Sequence, residues 1–178
     1  MIKVPFRAVL LSLIAFVAIG GLVVPNLPQA QVNTDYAEGP CVTRGTGIVI
    51  DFGTSSNLEP VVRCVFTPGL TGWQLLAAAG LHVSGTSEYP ASFVCRINGF
   101  PNAEREDCLG TPGYDNGSWS YFYATGDSAS WQRSPVGAAT RKPKCGDVEG
   151  WLFSKPEIKQ NSQPAGGPRI NPKPIKCE

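Results

Sequence analysis

Histidine is nearly absent: the 178 residues contain one, His82. A single imidazole excludes zinc sites built on paired histidines, and it leaves one side chain for acid–base work near neutral pH. His82 follows a helical pattern in apolar surroundings, where a histidine is more often structural than catalytic. Charge is also sparse, at 16% of residues with a net of +1. That balance provides no broad basic face for nucleic acid and no long-range steering of acidic ligands. There is no nucleophile elbow, phosphate loop or zinc-binding helix motif. No two cysteines have the close spacing of a zinc knuckle, and no repeat or heptad pattern occurs. No catalytic residue, metal site or enzymatic activity is therefore expected.

Turn formers and cysteine are plentiful: 20 glycines, 16 prolines and six cysteines. The first two disfavour an all-helical fold. The N-terminus accounts for the third. Lys3 and Arg7 precede an uncharged apolar run from Ala8 to Val24, a basic region followed by a hydrophobic one, as in an export signal. Cleavage could follow Ala30 or Gly20. The run is also long enough to remain as an anchor. Export leads to an oxidising compartment, where an even set of cysteines is usually bridged. The expected location is therefore secreted or cell-surface.

The remaining chain divides by composition. Residues 31–40 read as a flexible lead-in, 41–154 as one domain, and 155–178 as a disordered tail. The tail is rich in Pro and Gly and too poor in bulky apolar residues to offset its ordering entropy. Within the domain, Thr46 to Phe52 and Pro60 to Phe66 are β-branched runs joined by a turn-rich segment, a candidate hairpin. A short helix follows, with Thr71 and Gln74 at capping-box spacing and Gly80 at a C-terminal cap position. Further strands are predicted over Ser92–Ile97, Ser118–Ala124 and Val148–Phe153, with a turn at Gly126-Asp127 leading into Ser130–Arg133. Asn98-Gly99 is the strongest turn signal. This order suits an α+β, β-grasp-like mixed sheet with one short helix packed across it.

Cys95 and Cys108 flank a turn and a polar loop. A bridge between them closes about 14 residues, worth roughly 3 kcal/mol in the chain-entropy model. Cys41 and Cys64 could tie the hairpin, leaving Cys145 and Cys177 to tether the tail, although six cysteines allow 15 pairings. In the strand from Ser118 to Ala124, alternation places Trp119, Tyr121 and Tyr123 on one face and Ser120 and Phe122 on the other. One reading makes these aromatics core and cross-strand pairs. The other makes them a shelf for a flat or amphipathic ligand, extended by Trp131 across the turn, with polar contacts near Ser120. Glu104, Glu106 and Asp107 read as a solvated acidic loop. Asn116-Gly117-Ser118 matches a glycosylation acceptor.

The succession Thr71-Gly72-Trp73-Gln74-Leu75-Leu76, Ile97-Asn98-Gly99, Trp119-Ser120-Tyr121-Phe122-Tyr123 and Gly146-Asp147-Val148-Glu149-Gly150-Trp151 resembles the C-terminal domain of transcobalamin and intrinsic factor, and an exported bacterial branch of that family. The resemblance spans about residues 46–153. It implies a β-grasp fold, a corrinoid such as cobalamin as ligand, and no catalytic cofactor. In the vitamin carriers a separate helical barrel holds the other side of the corrinoid. That barrel is missing from this chain, so the resemblance implies a helical-barrel partner protein or an uptake transporter.

Overall fold

The computed structural model describes residues 35–113, 115–126, 128–155 and 166–177. The predicted signal or anchor over residues 1–30 lies outside them. Among the described residues no helix is long and apolar enough to cross a membrane. The architecture is α+β, mostly sheet with one short helix.

The predicted hairpin forms from β2 (Thr46–Asp51) and β3 (Val61–Val65), antiparallel with Ile48 opposite Arg63. The helix α1 (Gly72–Ala78) begins at Thr71. Its hydroxyl accepts from the Gln74 amide, while the Gln74 side chain accepts from the Thr71 amide, so both capping-box bonds are made. At its other end Gly80 N–H donates to Ala77 and Leu81 N–H to Leu76, with Gly80 at a φ of +69°. This left-handed stop suits glycine.

Two short strands were not legible in the sequence. β1 (Tyr36–Glu38) pairs with the outer side of β3, so the predicted flexible lead-in contributes an ordered edge from Tyr36 onward. β4 (Val83–Gly85) pairs with β5 (Val94–Ile97) in a separate two-stranded sheet. The predicted Ser92–Ile97 strand therefore does not enter the main sheet. The main sheet is completed by β6 (Ser118–Ala124), β7 (Gln132–Arg133) and β8 (Val148–Ser154), giving the order β1-β3-β2-β8-β6-β7. Its central pair, β2 and β8, is parallel, and the other neighbours are antiparallel.

Register and alternation assign the two faces. One carries Ile48, Ile50, Val65 and Trp151 against Leu75, Leu76 and Ala79 of α1, closed off by Leu81, Val94 and Ile97. Beside this core, Phe52, Phe100, Trp119 and Phe153 meet edge to face, with ring centroids 4.9 to 6.2 Å apart. Such geometry adds to simple burial.

The opposite face carries Val49, Asp51, Val62, Val148 and Gly150. It is covered by the segment the sequence assigns to a disordered tail. Arg169 donates its backbone N–H, Nε and NH2 to the fully buried Asp51, and Ile175 N–H donates to Gly146. Residues 166–177 thus form a strap held by specific bonds, a gain that their low apolar content did not advertise. Residues 156–165 of the predicted tail lie outside the described set. Burial raises the Asp51 carboxyl, but the Arg169 side chain and the amides of Arg169 and Gly53 outweigh it and hold the group below the usual carboxylate range.

Three disulfides, Cys41–Cys64, Cys95–Cys108 and Cys145–Cys177, use all six cysteines. They point to an oxidising environment outside the cytosol. The third ties the strap to the chain just before β8.

Candidate functional site

β6 and β8 pair Trp119 with Phe153, Tyr121 with Trp151 and Tyr123 with Glu149. On the helix side this register stacks the Tyr121 and Trp151 rings at 4.9 Å. A cleft of about 150 Å³ opens there, lined by Ser92, Phe93, Val94, Trp119, Tyr121, Gly137, Ala138 and Trp151. Its aromatic wall comes from the main sheet, and its other wall from the start of β5 and from loops. The indole Nε1 atoms of Trp119 and Trp151 are buried, and neither has a hydrogen-bond partner among the described residues.

Beneath the cleft lies a polar cluster. Glu149 is fully buried in β8 and takes the Tyr121 hydroxyl and the Arg141 guanidinium, at 3.0 and 3.3 Å from the Nε of Arg141. Arg141 also bonds Asp147 at 3.2 Å and lies over the Tyr123 ring at 3.9 Å. Asp147 accepts the Lys144 N–H as well. Burial pushes the Glu149 carboxyl up to about 7, opposed by Tyr121 and Arg141. The Tyr121 hydroxyl is raised by burial and by the neighbouring carboxylate.

The loop that carries Arg141 also anchors the helix. Gly72 N–H donates to Arg141 C=O and Trp73 N–H to Ala138 C=O, which satisfies two of the free amides at the start of α1. Gly72 is required by contact: a Cβ there would lie within 3 Å of the Tyr121 phenol ring. The same loop therefore forms one wall of the cleft, caps the helix and neutralises Glu149.

The residues singled out in the sequence do not form one shelf. Trp119, Tyr121 and Tyr123 share the helix side and are half-buried, with the Tyr123 hydroxyl donating to Gln132. Ser120 is buried on the opposite face, as strand alternation requires. Trp131 also lies on that opposite face, half-buried over Gly150, where a Cβ would stand 2.7 Å from its ring. Its indole donates to Ile170 of the strap at 2.9 Å. It packs there because β8 offers a glycine-sized hollow and the strap closes over it, so Trp131 does not extend the aromatic row.

Sequence alone assigned no site role to Glu149, Arg141 or Trp151, although Glu149 and Trp151 stand in the motif from Gly146 to Trp151. The available signal was an acid inside a strand otherwise suited to full burial, which demands a cation from elsewhere. His82 is exposed; its backbone exchanges bonds with Asn98 and its ring has no assigned role. The acidic loop is partly internal: Glu106 is buried and accepts from the Cys108 amide and the Asn116 side chain. Among the described residues no cluster of three or more His, Cys, Asp or Glu could hold a metal ion. No family model matches this chain, and neither a curated protein nor a solved structure is significantly similar to it.

Proposed function

We propose that this chain is an exported, non-catalytic binding module that takes its ligand at the cleft between Trp119, Tyr121 and the Gly137–Ala138 loop. The observation carrying this reading is the pair of buried indole N–H groups, unpartnered among the described residues, on two residues lining that cleft. A buried donor without a partner costs about 1–3 kcal/mol; both atoms are closed to solvent, so an acceptor on a bound molecule relieves that cost only once the ring edges open toward the cleft. The ligand class is a flat molecule with acceptors at its rim. The sequence resemblance names a corrinoid such as cobalamin. The fold supports that resemblance in one respect: the order is hairpin, helix, then a late strand returning parallel to the first hairpin strand, as a β-grasp domain requires.

A cleft of about 150 Å³ accepts only the edge of a corrinoid. Capture therefore requires a second surface, from a helical partner protein or a transporter. The edge strands β1 and β7 are only three and two residues long, which disfavours partner binding by strand addition relative to ligand binding at the cleft. The test is titration of the purified chain with cobalamin, alone and with candidate helical partners, followed by tryptophan fluorescence. Trp119→Phe keeps a ring and deletes the donor, so it should weaken binding by roughly tenfold. Absence of binding in every combination would remove the corrinoid, and an unaffected Trp119→Phe would move the site elsewhere.

A further inference from the structure

A second cleft, of about 680 Å³, lies where the strap meets the chain before β8. Arg141, Lys142, Lys144 and Lys176 line it, together with Thr125 and, among the described residues, one carboxylate, Asp147. Asp147 is already committed to Arg141 and to the Lys144 amide, and Arg141 is committed to Glu149. Lys142, Lys144 and Lys176 are exposed, and their ammonium groups have no anionic partner among the described residues.

Their proximity is imposed by the covalent structure. Lys144 and Lys176 immediately precede the two half-cystines of the Cys145–Cys177 bridge. The Ile175 amide bonds Gly146 at 3.0 Å, and a Cβ on Gly146 would lie 2.0 Å from the Ile175 carbonyl, so only glycine admits the strap this closely. A chain of net charge +1 thus gathers three ammonium groups, none with a carboxylate partner among the described residues, around one polar hollow. Whole-chain neutrality concealed this local field.

We propose that this hollow is an anion site for a phosphate or pyrophosphate ester. Lys142, Lys144 and Lys176 provide charge-assisted donors and the Thr125 hydroxyl a neutral one. The hollow is wider than a single phosphate and leaves room for the group the ester carries. The site stands independently of the aromatic cleft and of the reading given to it.

The probe is inorganic pyrophosphate, titrated calorimetrically into the full disulfide-bonded chain at low ionic strength. Lys144→Gln/Lys176→Gln should weaken binding by roughly tenfold for each lysine removed, and added salt should weaken the native interaction. Lys173→Gln, which removes a strap lysine lining a different cleft, should leave affinity unchanged. A native chain that does not take up pyrophosphate, or a Lys173→Gln loss as large per lysine as that of the pair, overturns the site. Flotation with phosphatidic acid vesicles, against phosphatidylcholine vesicles, then distinguishes sources. Lysine-dependent flotation assigns a lipid headgroup, and pyrophosphate binding without flotation assigns a water-borne phosphate ester.

Discussion

Replacing Arg141 with Met should destabilise the domain in a pH-dependent way whose shape follows from Glu149. Arg141 places Nε 3.0 and 3.3 Å from the two Glu149 oxygens, and Glu149 is fully buried. Its folded pKa is pushed up to about 7, above the ordinary value of 4.5. Between those limits the folded state holds the proton more firmly than the unfolded chain. The contribution of this group to stability is therefore complete below about 4.5 and declines as pH rises through about 7, by about 3 kcal/mol in all. Without Arg141 the folded pKa moves higher still. Native and variant stability curves should run parallel up to about pH 7 and separate above it by about 1.4 kcal/mol per pH unit. The loss should be about 1–2 kcal/mol at pH 5.5, from the Asp147 and Tyr123 contacts. It should approach about 3–5 kcal/mol near pH 9, because the folded variant must keep the Glu149 proton that the unfolded chain has released. Urea unfolding followed by tryptophan fluorescence, with disulfides intact, measures this. Adding Glu149→Gln to the variant should abolish the divergence. Parallel curves from pH 5.5 to 9 would refute the assignment of Arg141 as the counterion of Glu149.

The strap supplies the other two predictions. Asp51→Asn removes the carboxylate that holds Arg169 and should accelerate amide exchange across residues 166–177, at a stability cost of about 2–4 kcal/mol. The Asp51 pKa is depressed on folding, so its contribution is present above about 3.8 and lost as pH falls below that value, and acidification of the native protein should release the same segment. Exchange unaltered by either change would refute the anchoring role. Gly150→Val would push against the Trp131 ring and Pro168. It should cost about 1–3 kcal/mol and shift part of the tryptophan emission to the red, and an unshifted spectrum would place Trp131 elsewhere.

Local chemistry was legible and long-range partnership was not. The capping box at Thr71 and the left-handed stop at Gly80 depend on residues within a few positions of each other, so the helix appears where the pattern places it. The longer strands of the main sheet, β2, β3, β6 and β8, follow their β-branched and aromatic alternation. β1 and β4 are three residues each, too short for any period to register, and exist because longer strands stand beside them. The strap is poor in apolar residues, so composition labels it disordered. It is held by an ion pair 118 positions distant, which leaves no trace in local sequence, and by the Cys145–Cys177 disulfide, which Cys177 did signal as a tether. The aromatic row of β6 was legible by alternation, while the position of Trp131 depended on a glycine hollow in another strand.

The parallel partnership of β2 with β8 bears on how the molecule comes into being. Nothing can settle beside the inner edge of residues 46–51 until residues 148–154 have been synthesised. Until then the hairpin and the helix lack the central strand they pack on, and such late, distant closure slows folding. Closure of the sheet therefore waits for the last third of the chain, and the Cys145–Cys177 bridge can fasten it only after that.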